Sequence, residues 1–204
     1  MGNTTMIDII GSMLIGGLLL LAALGMNNSA SKNTFKVEED LTVQENLTSL
    51  IQNLEYDFRR IGYRSGGYPP PTDSCIVYGR SDSIAFLSDV DDDGRLDTVI
   101  WYFEKTPIAN CPNPNVRMLV REVVSNGTTQ VDSSNLGVTE FSVDYLDAFG
   151  VQVPTPYVQG SPDPPNLMRL SLMVQPTAAY DTAYSSNFAF WTQTRLVSRN
   201  LTAR

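Results

Sequence analysis

Between Asp8 and Lys32 the sequence contains no charged residue, and residues 9–26 read IIGSMLIGGLLLLAALGM. That run approaches the roughly 20 residues a helix needs to cross a hydrocarbon core. Gly11, Ser12, Gly16, Gly17 and Gly25 are small residues of the kind that let membrane helices approach one another closely. A signal peptide is the competing reading. It calls for a basic leader segment, a shorter apolar core and a small-residue exit. No Lys or Arg precedes the run, although residues 25–32, GMNNSASK, offer such an exit. A membrane span is therefore expected, with cleavage left open.

Asp8 stands at the front of this segment. An ionised carboxylate in lipid costs on the order of 2.5 kcal/mol or more, so such residues normally have a partner. Two roles fit: an interfacial acid at the positive end of the helix dipole, or a charge paired with a cation on a neighbouring copy.

The helical pattern does not stop at the span. Val43, Leu47, Leu50, Leu54, Phe58 and Ile61 recur three and four residues apart, with Ile51 widening the stripe. A continuous helix from about Asp8 to Arg60 is expected, its first half apolar all round and its second half amphipathic. Residues 27–34, NNSASKNT, are polar and low in helix propensity, so a kink is expected there if anywhere. Arg59, Arg60 and Arg64 cluster where cations suit the negative helix pole. Gly62, Gly66, Gly67 and Pro69–Pro71 supply the stop. Three regions follow: an apolar helix over 1–26, its amphipathic continuation over 27–64, and a β-rich head over 65–204.

The head reads as short strands rich in Val, Ile, Phe and Tyr between turn clusters: CIVYG, SIAFLS, DTVIWYFE, RMLVREVV, VTEFSVDYL, NLMRLSLMV and FAFWTQTRLVSR. SNGTT marks a turn, and residues 147–166 form a Pro-rich excursion. The fold class expected is α+β, a long N-terminal helix packed on an antiparallel sheet.

Two cysteines, Cys75 and Cys111, lie beyond the apolar segment. Their spacing excludes a CxxC site. One disulfide in an oxidising compartment is the natural reading, two buried thiols the other. Lys32 and Lys36 would draw the C-terminal side toward the cytoplasm, but large domains cross regardless. The expected disulfide places the head outside the cytoplasm.

The loop DVDDDGRLD, residues 89–97, holds five Asp in nine positions. Asp89, Asp91, Asp93, Gly94 and Asp97 match positions 1, 3, 5, 6 and 9 of a calcium loop, with the Arg95 carbonyl at position 7. Ile100 stands where an EF-hand has its bidentate Glu. A structural Ca2+ is one expectation. A solvated hairpin turn built on Asp93-Gly94 is the other.

The net charge of −8 and the lack of a basic stripe argue against nucleic acid. Histidine is absent, and no nucleophile elbow or phosphate loop is present, so no enzymatic role is expected. Asn-x-Ser/Thr sequons begin at Asn3, Asn27, Asn46, Asn126 and Asn200.

TTMIDIIGSMLIGGLLLLAAL, followed by LIQNLEYDFRRIGYRSGG and the head segments DSIAFLSDVDDDGRLDTVIWYF, VTEFSVDYLDAFG and TRLVSRNL, resembles type IV pilin-like proteins, the minor pilins and type II secretion pseudopilins. Thr5, Met6 and Ile7 lie over the family's Thr-Leu-Ile, and Asp8 over its acid, usually Glu. Thr4 stands where Phe is usual, Asn3 where Gly is usual, and Gly2 one place earlier. The resemblance implies a subunit, minor rather than major, of a pilus or pseudopilus. Its partners would be other pilin-like subunits through the N-terminal helix. It would wait in the inner membrane with an extracytoplasmic head and then join a surface filament, Asp8 neutralising a neighbour's N-terminal amine. The alternatives are a major filament subunit and a membrane-tethered, calcium-stabilised binding module that does not polymerise.

Overall fold

The structure, a computed structural model, describes residues 2–66, 75–161, 164–178 and 189–196, with backbone alone at 2–4, 189, 190 and 192–196. Gly67, Pro69–Pro71 and Asn200 lie outside the described residues.

One helix, α1 (Gly2–Arg59), runs for 58 residues, roughly 87 Å at 1.5 Å per residue. Residues 27–34 stay helical despite their poor propensity. Neither Gly nor Pro occurs between Met26 and Ile61 to break it, and the Thr34 hydroxyl donates back to the Ala30 carbonyl at 3.1 Å. Gly62, at φ 71°, ends the helix in the left-handed cap conformation that glycine adopts without a Cβ penalty. The helix therefore stops before residue 64.

Nine strands follow among the described residues. They are β1 (Ile76–Gly79), β2 (Ser83–Ser88), β3 (Asp97–Pro107), β4 (Arg117–Ser125), β5 (Thr128–Ser134), β6 (Val138–Leu146), β7 (Tyr157–Val158), β8 (Leu167–Val174) and β9 (Ala189–Leu196). They form a six-stranded sheet ordered β5-β4-β3-β2-β1-β7 and a three-stranded sheet ordered β6-β8-β9. Every pairing is antiparallel.

The core joins the second half of α1 to both sheets. Val43, Leu50, Leu54, Phe58 and Ile61 are buried, with Leu47 and Ile51 packed beside them. The expected apolar stripe is the face that meets the head. Phe58 lies against Phe86 of β2 with ring centroids 5.6 Å apart. From the sheet side, Val99, Leu119, Phe141, Tyr145, Leu170 and Leu172 fill the same cluster.

The expected Cys75–Cys111 disulfide is not formed; both residues are thiols. The Cys75 carbonyl accepts from Leu87 N–H at 2.8 Å, and Leu87 pairs with Thr98 at the start of β3. Cys111 follows the far end of β3 at Pro107, its Sγ 3.6 Å from the Thr177 carbonyl oxygen. Nine strand residues at about 3.3 Å each separate these positions by ~30 Å, far beyond the ~7 Å Cα separation a disulfide tolerates. Burial pushes the Cys75 thiol above its ordinary pKa, which suppresses thiolate chemistry. The head's placement outside the cytoplasm thus loses the argument it rested on.

Candidate functional site

The acidic loop between β2 and β3 is tied to the end of α1. After Gly62 the chain runs alongside the end of β2: Gly62 N–H donates to the Leu87 carbonyl at 2.7 Å and Asp89 N–H to the Tyr63 carbonyl at 2.9 Å. Arg60 donates to the Asp89 carbonyl at 2.6 Å and to the Asp92 carboxylate at 3.0 Å. Its guanidinium lies over the rings of Tyr56 and Tyr63 at 5.2 and 4.7 Å. Arg64 donates to the Gly94 carbonyl at 2.7 Å. Arg60 and Arg64 therefore grip the loop, while Arg59 pairs with Glu55 of its own helix at 3.0 Å.

Within the loop, Asp89, Asp91 and Asp97 each bring a carboxylate oxygen to within 4.8 Å of the others. Asp89 and Asp97 are buried and Asp91 is exposed. Asp89 accepts from Ser65 N–H at 2.9 Å, Gly94 N–H at 2.9 Å and Asp93 N–H at 3.1 Å. Burial pushes its pKa up, but the hydrogen bonds from Ser65, Gly94 and Asp93 together outweigh it and hold the carboxyl below its ordinary range. Asp97 accepts from Val90 N–H at 2.9 Å.

Asp93, expected as a ligand, is not part of this triad. Its Oδ1 accepts from Arg95 N–H at 2.7 Å, and its Oδ2 lies 3.4 Å from Asn126 Nδ2. The Arg95 guanidinium reaches Asn126 Oδ1 at 3.1 Å. Asn126 belongs to the β4–β5 turn, where Asn126 and Gly127 have φ of 49° and 79°, the left-handed pair a two-residue hairpin turn needs. Ser65, Asn126 and Ser125, whose hydroxyl lies 3.5 Å from Asp91 Oδ2, are remote in sequence, and only folding makes them neighbours of the loop. Three carboxylates make an all-oxygen donor set, the kind that hard divalent cations take. The triad could hold a metal ion.

A second polar centre ties α1 to the large sheet. Trp101, Arg121 and Asp132 stand side by side on β3, β4 and β5. Asp57 enters this row from the helix. It accepts from Trp101 Nε1 at 2.8 Å and from Arg121 at 2.5 and 3.0 Å, while itself buried. The Asp57 hydrogen bond raises the Arg121 pKa against the opposing effect of burial. The cleft beside it, about 550 Å³, is lined by Leu50, Tyr56, Trp101, Arg121 and Leu136 among others. Its central charges pair with each other, which reads as structural.

The first half of α1 touches none of this. From Met6 to Met26 its large apolar side chains are 56–76 % exposed, and its mean hydropathy reaches 2.3 with none of that window buried. Asp8 lies on this exposed stretch. Length and composition suit a membrane anchor or a signal sequence.

No protein-family model matches the chain, and neither a curated protein nor a solved structure matches it.

Proposed function

We propose that this chain is a structural subunit, minor rather than major, of a filament of the type IV pilus or type II secretion pseudopilus kind. One observation carries the reading: a single helix is apolar and uncovered over its first half and packed into a head over its second. Uncovered apolar surface on this scale calls for lipid or for other copies. A filament subunit uses both in turn, lipid before assembly and neighbouring helices after it. Asp8 then has a purpose, because a cationic group on a neighbouring copy neutralises it as the helices leave lipid. In this reading the acidic loop holds a structural Ca2+ through Asp89, Asp91 and Asp97, bracing the turn that receives the helix end.

A membrane-tethered module that never polymerises is the second reading, favoured by the triad, which needs no neighbour. Cysteines introduced at Ile10 and Leu14 separate the two. In membranes from cells carrying the export apparatus, a filament subunit gives cross-linked ladders. Monomers alone, with the head folded, would leave the tethered module.

A further inference from the structure

Between its two halves α1 carries charge in two separate bands. Lys32 and Lys36 come first; Glu38, Glu39 and Asp40 follow at once, with Glu45 one turn further on. Lys32, Lys36 and Asp40 are spaced by four and lie along one helix face, and all three are exposed. The preceding polar stretch 27–31 contains no charge, so the bands stand as a local dipole on the neck of the molecule.

Two parallel copies set level would bring Lys against Lys and acid against acid, which repel. Antiparallel copies are closed to chains that share one membrane with their heads on the same side. An axial offset of four to eight residues, about 6–12 Å at 1.5 Å per residue, removes the repulsion. The copy displaced toward the heads then sets Lys36, or Lys32, beside Asp40 of its neighbour. Such a contact uses different patches on the two copies. It cannot close as a symmetric pair and leaves a band open at each end for the next copy.

We infer that this neck is a register-setting contact between successive copies, Lys32 and Lys36 of one against Asp40 of the next. The inference rests on assembly through the apolar helix and adds the offset at which copies meet. Exposed pairs hold little energy but discriminate registers, and salt weakens them.

The test uses the full chain in membranes, in a Cys111→Ser background. Differently tagged Lys36→Cys and Asp40→Cys copies are co-expressed, with Leu14→Cys as the reporter of assembly. The expected result is faster cross-linking of Lys36→Cys to Asp40→Cys than of Lys36→Cys to itself. Lys36→Glu should reduce the Leu14→Cys ladder about two- to fivefold, the range exposed ion pairs give. Adding Asp40→Lys to the same chain should restore it. Unchanged head melting in each variant keeps folding out of the comparison. A Leu14→Cys ladder without preferential 36–40 cross-linking overturns the register alone. So does a loss that Asp40→Lys fails to restore, which would assign the lysines to anionic lipid headgroups. Absence of the ladder in the otherwise unaltered chain sinks the filament reading and this one together.

Discussion

The two halves of α1 share one backbone and differ in how apolar residues are distributed around it. Residues 9–26 are apolar on every side; from residue 43 onward the apolar residues fall on one stripe, with Gln44, Glu45, Gln52, Asn53 and Glu55 around it. The first half is exposed and the second buries Leu50, Leu54, Phe58 and Ile61. Angular distribution therefore decides where a helix goes once it has formed. A stripe can be satisfied by one sheet face; a helix apolar all round needs a surrounding medium. The charged neck between them belongs to neither environment.

The strongest challenge to this contrast is a matched pair of truncations. Phe58→Ala should cost the head about 3–5 kcal/mol in urea unfolding followed by Trp fluorescence in detergent. Leu18→Ala should leave the same transition within about 0.5 kcal/mol. Equal shifts would mean that the halves are not energetically separate.

The next largest effect is expected at Asp57. Asp57→Ala leaves the Trp101 N–H and the Arg121 guanidinium without their shared acceptor. A loss of about 2–3 kcal/mol is expected in the same assay, with part recovered by adding Arg121→Met. No loss would show that the helix docks by apolar packing alone.

The acidic loop sharpens the contrast, since it grips only the head-bound end of the helix. At calcium a hundredfold above its dissociation constant, a bound ion would add about 2.7 kcal/mol, read as a higher melting midpoint than in chelator. Asp91→Ala should abolish that difference and Asp93→Ala should keep most of it. Identical midpoints in calcium and chelator would remove the ion from the account.

A gentler effect is expected with pH. In chelator, Asp89 has a folded pKa below its unfolded value of about 3.9. Between the two values the unfolded chain binds the extra proton, so stability rises with pH through that window and is complete above it. As pH falls below about 4, the contribution is lost. Asp89→Asn should flatten that part of the stability profile, and an unchanged slope would locate the acid sensitivity elsewhere.

Much of this architecture was legible before folding was considered. The stripe of Val43, Leu50, Leu54, Phe58 and Ile61 is the buried face, because 3.6-residue periodicity is a local property. Strands with alternating or continuous apolar residues, such as SIAFLS and VTEFSVDYL, appear where the pattern puts them. β5 was not legible: TTQVDSS is exposed except at Ser134, and its pairing with β4, not burial, makes it a strand. β7, only two residues long, lay hidden in the Pro-rich excursion. At the candidate site, Asp89, Asp91 and Asp97 were readable from spacing. Asp93 departs because the Arg95 amide and Asn126 claim its oxygens. The disulfide failed because composition names a compartment but not a distance, and distance is fixed by strand register. Asp57, Arg121 and Trp101 carried no local signal at all.

One consequence follows from α1 being unbroken from Gly2 to Arg59. Stem and head share a spine, with no swivel between them. Tension applied to the head passes straight down the helix axis instead of being absorbed by a joint. The seam where Phe58, Asp57 and Arg60 meet the sheet and the acidic loop is where that load enters the head.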